Sequence, residues 1–301
     1  MDNTSVVTNH RRPAARLFES SEHVEAALAA SSYLPDHGLA TVIYLATNLQ
    51  RPLLLEGEPG VGKTRVAAAL AAITGRDLIR LQCYEGIEAS EALYDWDYRR
   101  QLLVARSADE AGDEADLYSA RFLLERPLLR AVRSGAGAVL LVDEIDRADD
   151  QFEAFLLEFL SEFTVTIPEL GTIAAVEPPV VVITSNRTRE LHDALARRCL
   201  YHWIDYPDVE REAAIIRLQA PEVTEELARS VAEAVAVLRG LDLVKPPGAA
   251  ESIDWARSLA LVGVESVRQN LDAVRSTLGA VLKNHDDVRA VVPQLPGIAG
   301  G

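Results

Sequence analysis

The stretch Leu53-Leu54-Leu55-Glu56-Gly57-Glu58-Pro59-Gly60-Val61-Gly62-Lys63-Thr64 decides the fold. Its last eight residues fit G-x-x-x-x-G-K-[ST], the pattern of a phosphate-cradling loop between a strand and a helix. Leu53–Leu55 reads as the buried strand. Val66, Leu70 and Ile73 place an apolar stripe on the helix that follows. Glycines let successive backbone N–H groups turn toward an anion. The following helix presents its positive dipole end to the same anion. Gly57, Glu58, Pro59, Gly60, Val61, Gly62, Lys63 and Thr64 are therefore the candidate nucleotide-binding set. Lys63 is expected on the β- and γ-phosphates of ATP and Thr64 on Mg²⁺.

Outward from this loop, five short apolar runs bounded by turn residues predict strands: Pro52–Glu56, Leu78–Cys83, Ala138–Val142, Val180–Thr184 and Leu200–Ile204. Continuous apolar runs suit a parallel sheet covered on both faces. Helical periodicity between them predicts an α/β sandwich. Upstream, Glu22–Asn48 reads as helical, with a break at Pro35–Gly38. After Pro207 only helical patterns remain, over 208–219, 222–240, 251–262 and 265–284. The expected organisation is a flexible tail over 1–18, an α/β nucleotide-binding domain over 19–207, a helical lid over 208–292 and a loose Pro/Gly-rich tail over 293–301. The acidic stretch Ser107–Asp116 is expected to be a solvated loop. Asp150–Phe163 reads as a core-packing helix opened by an Asp150-x-x-Glu153 capping box.

Two further strand ends carry chemistry. Ala138–Val142 runs into Asp143-Glu144, and buried carboxylates call for a cation. Asp143 is the candidate partner of Mg²⁺, together with Thr64. Glu144 is the candidate base toward the attacking water. Val180–Ser185 ends at Asn186. Parallel strands bring their carboxyl ends to one edge, so Asn186 is a candidate contact to the γ-phosphate or the lytic water.

The chain has 301 residues and a formal net charge of −16. That balance argues against sequence-independent nucleic-acid binding and against docking on anionic membranes. Apolar runs are too short to span a bilayer. The two cysteines, Cys83 and Cys199, lie far apart with no metal-ligand spacing, and the chain reads as cytoplasmic.

Leu53–Thr64, Val139–Glu144, Val180–Asn186 and Leu195-Ala196-Arg197-Arg198, followed by a helical domain, resemble an AAA+ ATPase. The lead-in Leu39–Ala46 before Arg51–Gly57, with Arg80–Gly86, is similar to the MoxR group. Tyr94–Leu103 and Ile253–Arg257 resemble its CoxD-like branch. The resemblance covers roughly 20–290. It implies a five-stranded core with the phosphate-loop strand beside the acidic strand, an insert around Trp96–Phe122 and a hairpin about Phe163–Val176. It also implies a homo-oligomeric ring, usually a hexamer, with ATP at subunit interfaces. A partner bearing a von Willebrand factor A domain and a target enzyme follow from the same likeness. For the CoxD-like branch the target is the metal centre of carbon monoxide dehydrogenase-type molybdenum hydroxylases. Arg198 aligns with the arginine acting on the neighbouring subunit's ATP, and Arg197 is the second candidate. The family's lid arginine has no counterpart in Ser252-Ile253-Asp254-Trp255, and Arg257 is the nearest substitute.

The residues thus point to an ATP-hydrolysing machine that remodels or matures a protein. A P-loop kinase, a nucleic-acid motor and a nucleotide-gated scaffold with little turnover are the alternatives. Trp96, Tyr98, Arg99 and Arg100 read either as a binding patch or as an insert packed on its own subunit.

Overall fold

A computed structural model describes residues 16–111 and 117–298. The elements run α1 (Ser21–Ala30), α2 (His37–Leu49), β1 (Leu53–Gly57), α3 (Lys63–Thr74), β2 (Asp77–Gln82), α4 (Ala89–Leu93), β3 (Tyr94–Trp96), α5 (Tyr98–Ala111), β4 (Leu123–Glu125), α6 (Pro127–Ser134) and β5 (Ala138–Asp143). They continue with α7 (Asp150–Glu162), β6 (Thr164–Ile167), β7 (Gly171–Ala174), β8 (Val180–Ser185), α8 (Asp193–Ala196), β9 (Leu200–Ile204), α9 (Val209–Gln219) and α10 (Glu225–Arg239). Last come α11 (Ala249–Leu261), α12 (Leu271–Val281), α13 (His285–Val291) and α14 (Leu295–Ile298).

The five expected runs form one parallel sheet in the order β2-β5-β8-β1-β9. Every residue of β5 is buried, as a strand covered on both faces requires. One apolar cluster fills the face under α6 and α7, and a second fills the face under α1, α2 and α3. The strand order corrects one expectation. The phosphate-loop strand β1 is not beside the acidic strand β5; β8 lies between them. Apolar runs specify burial on two faces but not which neighbour sits at the hydrogen-bonding edge. The consequence is chemical: the polar end of β8 stands between the loop and the carboxylates.

The third cluster lies within α9–α14, around Trp255, Val231, Val235 and Leu278, with Trp255 Nε1 donating to Thr277 Oγ1 at 3.1 Å. The expected hairpin before β8 is present as antiparallel β6–β7. A second antiparallel pair, β3–β4, frames the insert. There Trp96 is buried, edge-on to Tyr94 and Tyr118, while Tyr98 and Arg99 are exposed.

Four local expectations are corrected. The N-cap of α7 is Asp149, accepting from Phe152 N at 2.8 Å. Glu153 instead turns inward to His192 N and Arg189, so no Asp150–Glu153 capping box forms. Phe18, assigned to the tail, packs into the core edge-on to His23; residues 1–15 lie outside the described part. The acidic stretch begins as helix, since α5 runs to Ala111; 112–116 lie outside the described residues. Pro293–Ile298 is helical, with Leu295 and Ile298 against the lid core, because an apolar i, i+3 pair outweighs the Pro/Gly content. Residues 299–301 are not described.

Candidate nucleotide site

Gly60 (φ +80°) and Gly62 (φ +96°) hold backbone conformations that side chains rarely adopt, which lets the loop wrap inward. Lys63, the first residue of α3, is buried, and its Nζ donates to Gly57 O at 2.7 Å and Glu58 O at 2.8 Å. Burial lowers its pKa, while the carboxylates of Asp146, Glu58, Asp143 and Glu144 push the other way.

Thr64 Oγ1 donates to Asp143 Oδ1 at 3.0 Å. The same carboxylate oxygen accepts from Thr184 Oγ1 at 2.6 Å, and Oδ2 pairs with Arg80 Nη2. Thr184 comes from β8, so the intervening strand supplies the bridge between the loop and the acid. Its hydroxyl also accepts from Glu144 N at 2.9 Å. Glu144 has a left-handed backbone (φ +56°), a strained state for a non-glycine that persists only when neighbours enforce it. Gln82 Nε2 donates to Glu144 Oε2 at 3.2 Å, and Arg147 Nε lies 3.2 Å from the same oxygen. Asn186 lines the same cavity.

Asp146 is buried beneath this edge. Burial alone would raise its pKa, but the Thr188 hydroxyl (2.7 Å) and the Thr188 N–H (3.0 Å), with the Asn186 N–H, bring it below the ordinary value of 3.8. Burial pushes the Cys83 and Cys199 thiols up to about 12, which leaves both as packed, unreactive side chains.

These groups open into a cavity of about 350 Å³. One end is the phosphate loop with Asp143, Glu144, Thr184 and Asn186. The other is apolar, walled by Tyr33, Leu34, Ile204, Ile215 and Ile253. Residue types and spacing gave no sign of this second end. Tyr33 and Leu34 sit in the α1–α2 connection, and α9 straps it down: Arg211 Nη2 donates to Leu34 O at 2.7 Å and Gln219 Nε2 to Ser32 O at 2.9 Å. Nor did spacing single out Arg80 and Gln82 on β2, although both fall within the MoxR-like stretch.

The arginines divide differently. Arg198 Nη1 donates to Leu157 O at 3.3 Å, and Arg197 pairs with Asp193 at 3.6 Å; neither lines the cavity of its own chain. Arg51 fixes the backbone beneath them, Nη2 to Arg197 O at 2.6 Å and Nε to Arg198 O at 3.0 Å. Arg257 turns away to Glu222 and Gln219 O and does not line the cavity.

A glycine cradle, a buried lysine ending on loop carbonyls and a hydroxyl beside a carboxylate fit a triphosphate with a hard, oxygen-ligated cation. The sheet order, the loop and the helical second unit define the class: a P-loop NTPase fold of AAA+ type. Residues 52–199 match the AAA domain of the dynein-related subfamily. The chain is 26% identical to protein NorQ of Paracoccus denitrificans over 197 residues, covering 63% of this chain and 66% of NorQ, a little under two thirds of its length. It is 32% identical to midasin of Giardia intestinalis over 104 residues, 35% of this chain and 2% of midasin. A RuvB mutant structure from Thermotoga maritima shares the fold at 18% identity and TM-score 0.50, covering 93% of this chain and 76% of that one. No helix among the described residues is long and apolar enough to cross a membrane.

Proposed function

We propose that this chain is an ATP-hydrolysing AAA+ ring ATPase of MoxR type that remodels or matures a target protein. The observation that carries the reading is the convergence of Lys63, the Thr64–Asp143 pair, Glu144 and Asn186 on one end of a single cavity. The likeness to NorQ supports it.

Backbone N–H groups of Gly57, Gly60, Gly62 and Lys63 cradle the phosphates, with Glu58, Pro59 and Val61 shaping the turn. Lys63 leaves its loop carbonyls for the β- and γ-phosphates. Thr64 and Asp143 would hold Mg²⁺, which would neutralise the charge that develops on the transferred phosphoryl group. Glu144 accepts the proton of the attacking water, held in place by Gln82 until then. Asn186 orients that water or the γ-phosphate. The apolar end takes the base. Arg198, outside its own cavity, serves the site of a neighbouring subunit, and Arg197 is the adjacent candidate. The ring, a hexamer as is usual in the MoxR group, works in the cytoplasm with a von Willebrand factor A-domain partner. Its target is a carbon monoxide dehydrogenase-type molybdenum hydroxylase whose metal centre it helps to assemble. No nucleic acid and no membrane insertion enter this scheme.

Turnover tests it. The assembled protein should release ADP and phosphate from Mg·ATP, and Glu144→Gln should bind Mg·ATP without hydrolysing it. Hydrolysis at the wild-type rate by Glu144→Gln would remove the assignment of the base.

A further inference from the structure

The lid meets the phosphate loop backbone to backbone, with the Glu251 carboxylate beside the contact accepting from Gly248 N at 3.0 Å. Gly248, just before α11, lies against Gly60 so closely that a Cβ on Gly248 would stand 2.6 Å from Gly60 Cα and 2.9 Å from its carbonyl carbon and oxygen. From the other side, a Cβ on Gly60 would stand 2.9 Å from Gly248 Cα. Ala249 N donates to Gly60 O at 3.0 Å. The backbone of Gly248 (φ −85°, ψ −177°) is open to any residue, so its glycine answers to this contact rather than to a turn.

Behind the contact lies an ion pair that is almost wholly buried, at 8% and 1% side-chain exposure for Arg239 and Glu212. Arg239 grips Glu212 with two nitrogens, Nη2 to Oε1 at 2.8 Å, and its Nε donates to Pro247 O at 2.8 Å. The guanidinium also stacks 4.3 Å from the Tyr206 ring centroid, in the connection between the two units. Ser252 Oγ reaches Glu212 Oε1 and lies 3.0 Å from Gly248 O. Three lid helices are thus tied to the two residues, Pro247 and Gly248, that press on the loop. A buried pair of this kind has a steep desolvation penalty and adds little net stability over apolar packing, so a geometric role is its better-attested use.

We propose that Gly248 and Ala249 form a backbone seat for the phosphate loop, and that Arg239, Glu212 and Ser252 are positioning residues that hold the seat in register. The seat acts beside Arg211 of α9, which lines the cavity but donates its Nη2 to Leu34 O at 2.7 Å: nucleotide binding and lid position are coupled through the shape of the loop at Gly60. This rests on the reading of the cavity as a nucleotide site.

Calorimetry with Mg·ADP on the full chain, alongside hydrogen exchange of residues 247–252 and thermal melting, tests it. Gly248→Ala should stay folded, bind Mg·ADP about tenfold more weakly and exchange faster at Ala249. Arg239→Lys keeps the charge but loses the fork, and should show the same weakening and the same faster exchange. Arg257→Ala should bind as the wild type does. If Gly248→Ala is folded and matches the wild type in both affinity and exchange, the seat does not exist. If Arg257→Ala weakens binding as much as Gly248→Ala, the lid acts through a cation and the proposal is overturned. Should Gly248→Ala fail to fold, Ser252→Ala decides in its place: weakened binding with faster exchange upholds the seat, and unchanged values remove it. A wild-type chain that does not bind Mg·ADP would fail earlier, at the nucleotide reading, and needs no variant to show it.

Discussion

The two walls of the cavity use charge in opposite ways. On the α/β side, Lys63, Asp143 and Glu144 are held by hydrogen bonds at the cavity edge, where a ligand can take over their partners. On the lid side, Glu212 and Arg239 spend their charges on each other inside the unit; α11 faces the cavity with Ala249, Ala250 and Ile253, and the polar α9 groups there, Arg211 and Gln219, are tied to Leu34 O and Ser32 O. Charge that must act on a ligand is left exchangeable; charge that must set a position is buried and saturated. The same residue types therefore carry different consequences on the two walls.

The largest effect should follow from removing an exchangeable charge. Lys63→Ala should abolish nucleotide binding, because it deletes the loop's own cation facing the β- and γ-phosphates. Calorimetry showing wild-type affinity would break the contrast at its strongest point. Next is Arg198→Ala, expected to bind ATP and still assemble but to lose roughly 10³–10⁵ in turnover. Mixing it with Lys63→Ala should restore partial activity, since an intact pocket then faces an intact Arg198. If mixed rings form and nothing returns, Arg197 becomes the candidate.

Removing a saturated charge should act on folding. Arg239→Met leaves Glu212 buried without its partner, and the expected loss is about 3–5 kcal/mol in chemical unfolding of the lid. A variant as stable as the wild type would show that Glu212 is satisfied without it.

The smallest effect concerns acid. Hydrogen bonds hold Asp146 below its ordinary 3.8, so its ionised form stabilises the fold above that pH, and the contribution fades as pH falls through the lower folded value. Thr188→Val deletes one donor. It should lower the melting temperature at pH 7 and flatten its decline below about pH 4 relative to the wild type. Parallel acid limbs in the two proteins would show that Thr188 is not what depresses Asp146.

What could be read in advance followed from how local each signal is. The five strands and the loop are contiguous in sequence, so apolar runs and glycine spacing report them directly. Asp143 and Glu144 were legible for the same reason, as carboxylates placed where a buried strand ends. The position of β8 between β1 and β5 was not, because parallel strands with alike apolar runs do not encode their neighbours. The α7 cap was displaced by one residue, since Asp149 and Asp150 are chemically equal and only the chain's entry angle chooses between them. Gly248 left no trace at all: its importance is a missing Cβ at a contact with a distant loop.

The placement of β8 also bears on how the protein is made. β1 pairs only with β8 and β9, both of which follow it by more than a hundred residues, whereas β5 pairs first with the earlier β2. A nascent chain that has emerged through Glu144 already contains the whole phosphate loop and both carboxylates, yet its loop strand has no partner. Domains emerge in order from their N-termini during synthesis. The loop strand therefore has no sheet neighbour on the ribosome until β8 has emerged, so the loop and the carboxylates come together only after more than half of the chain is made.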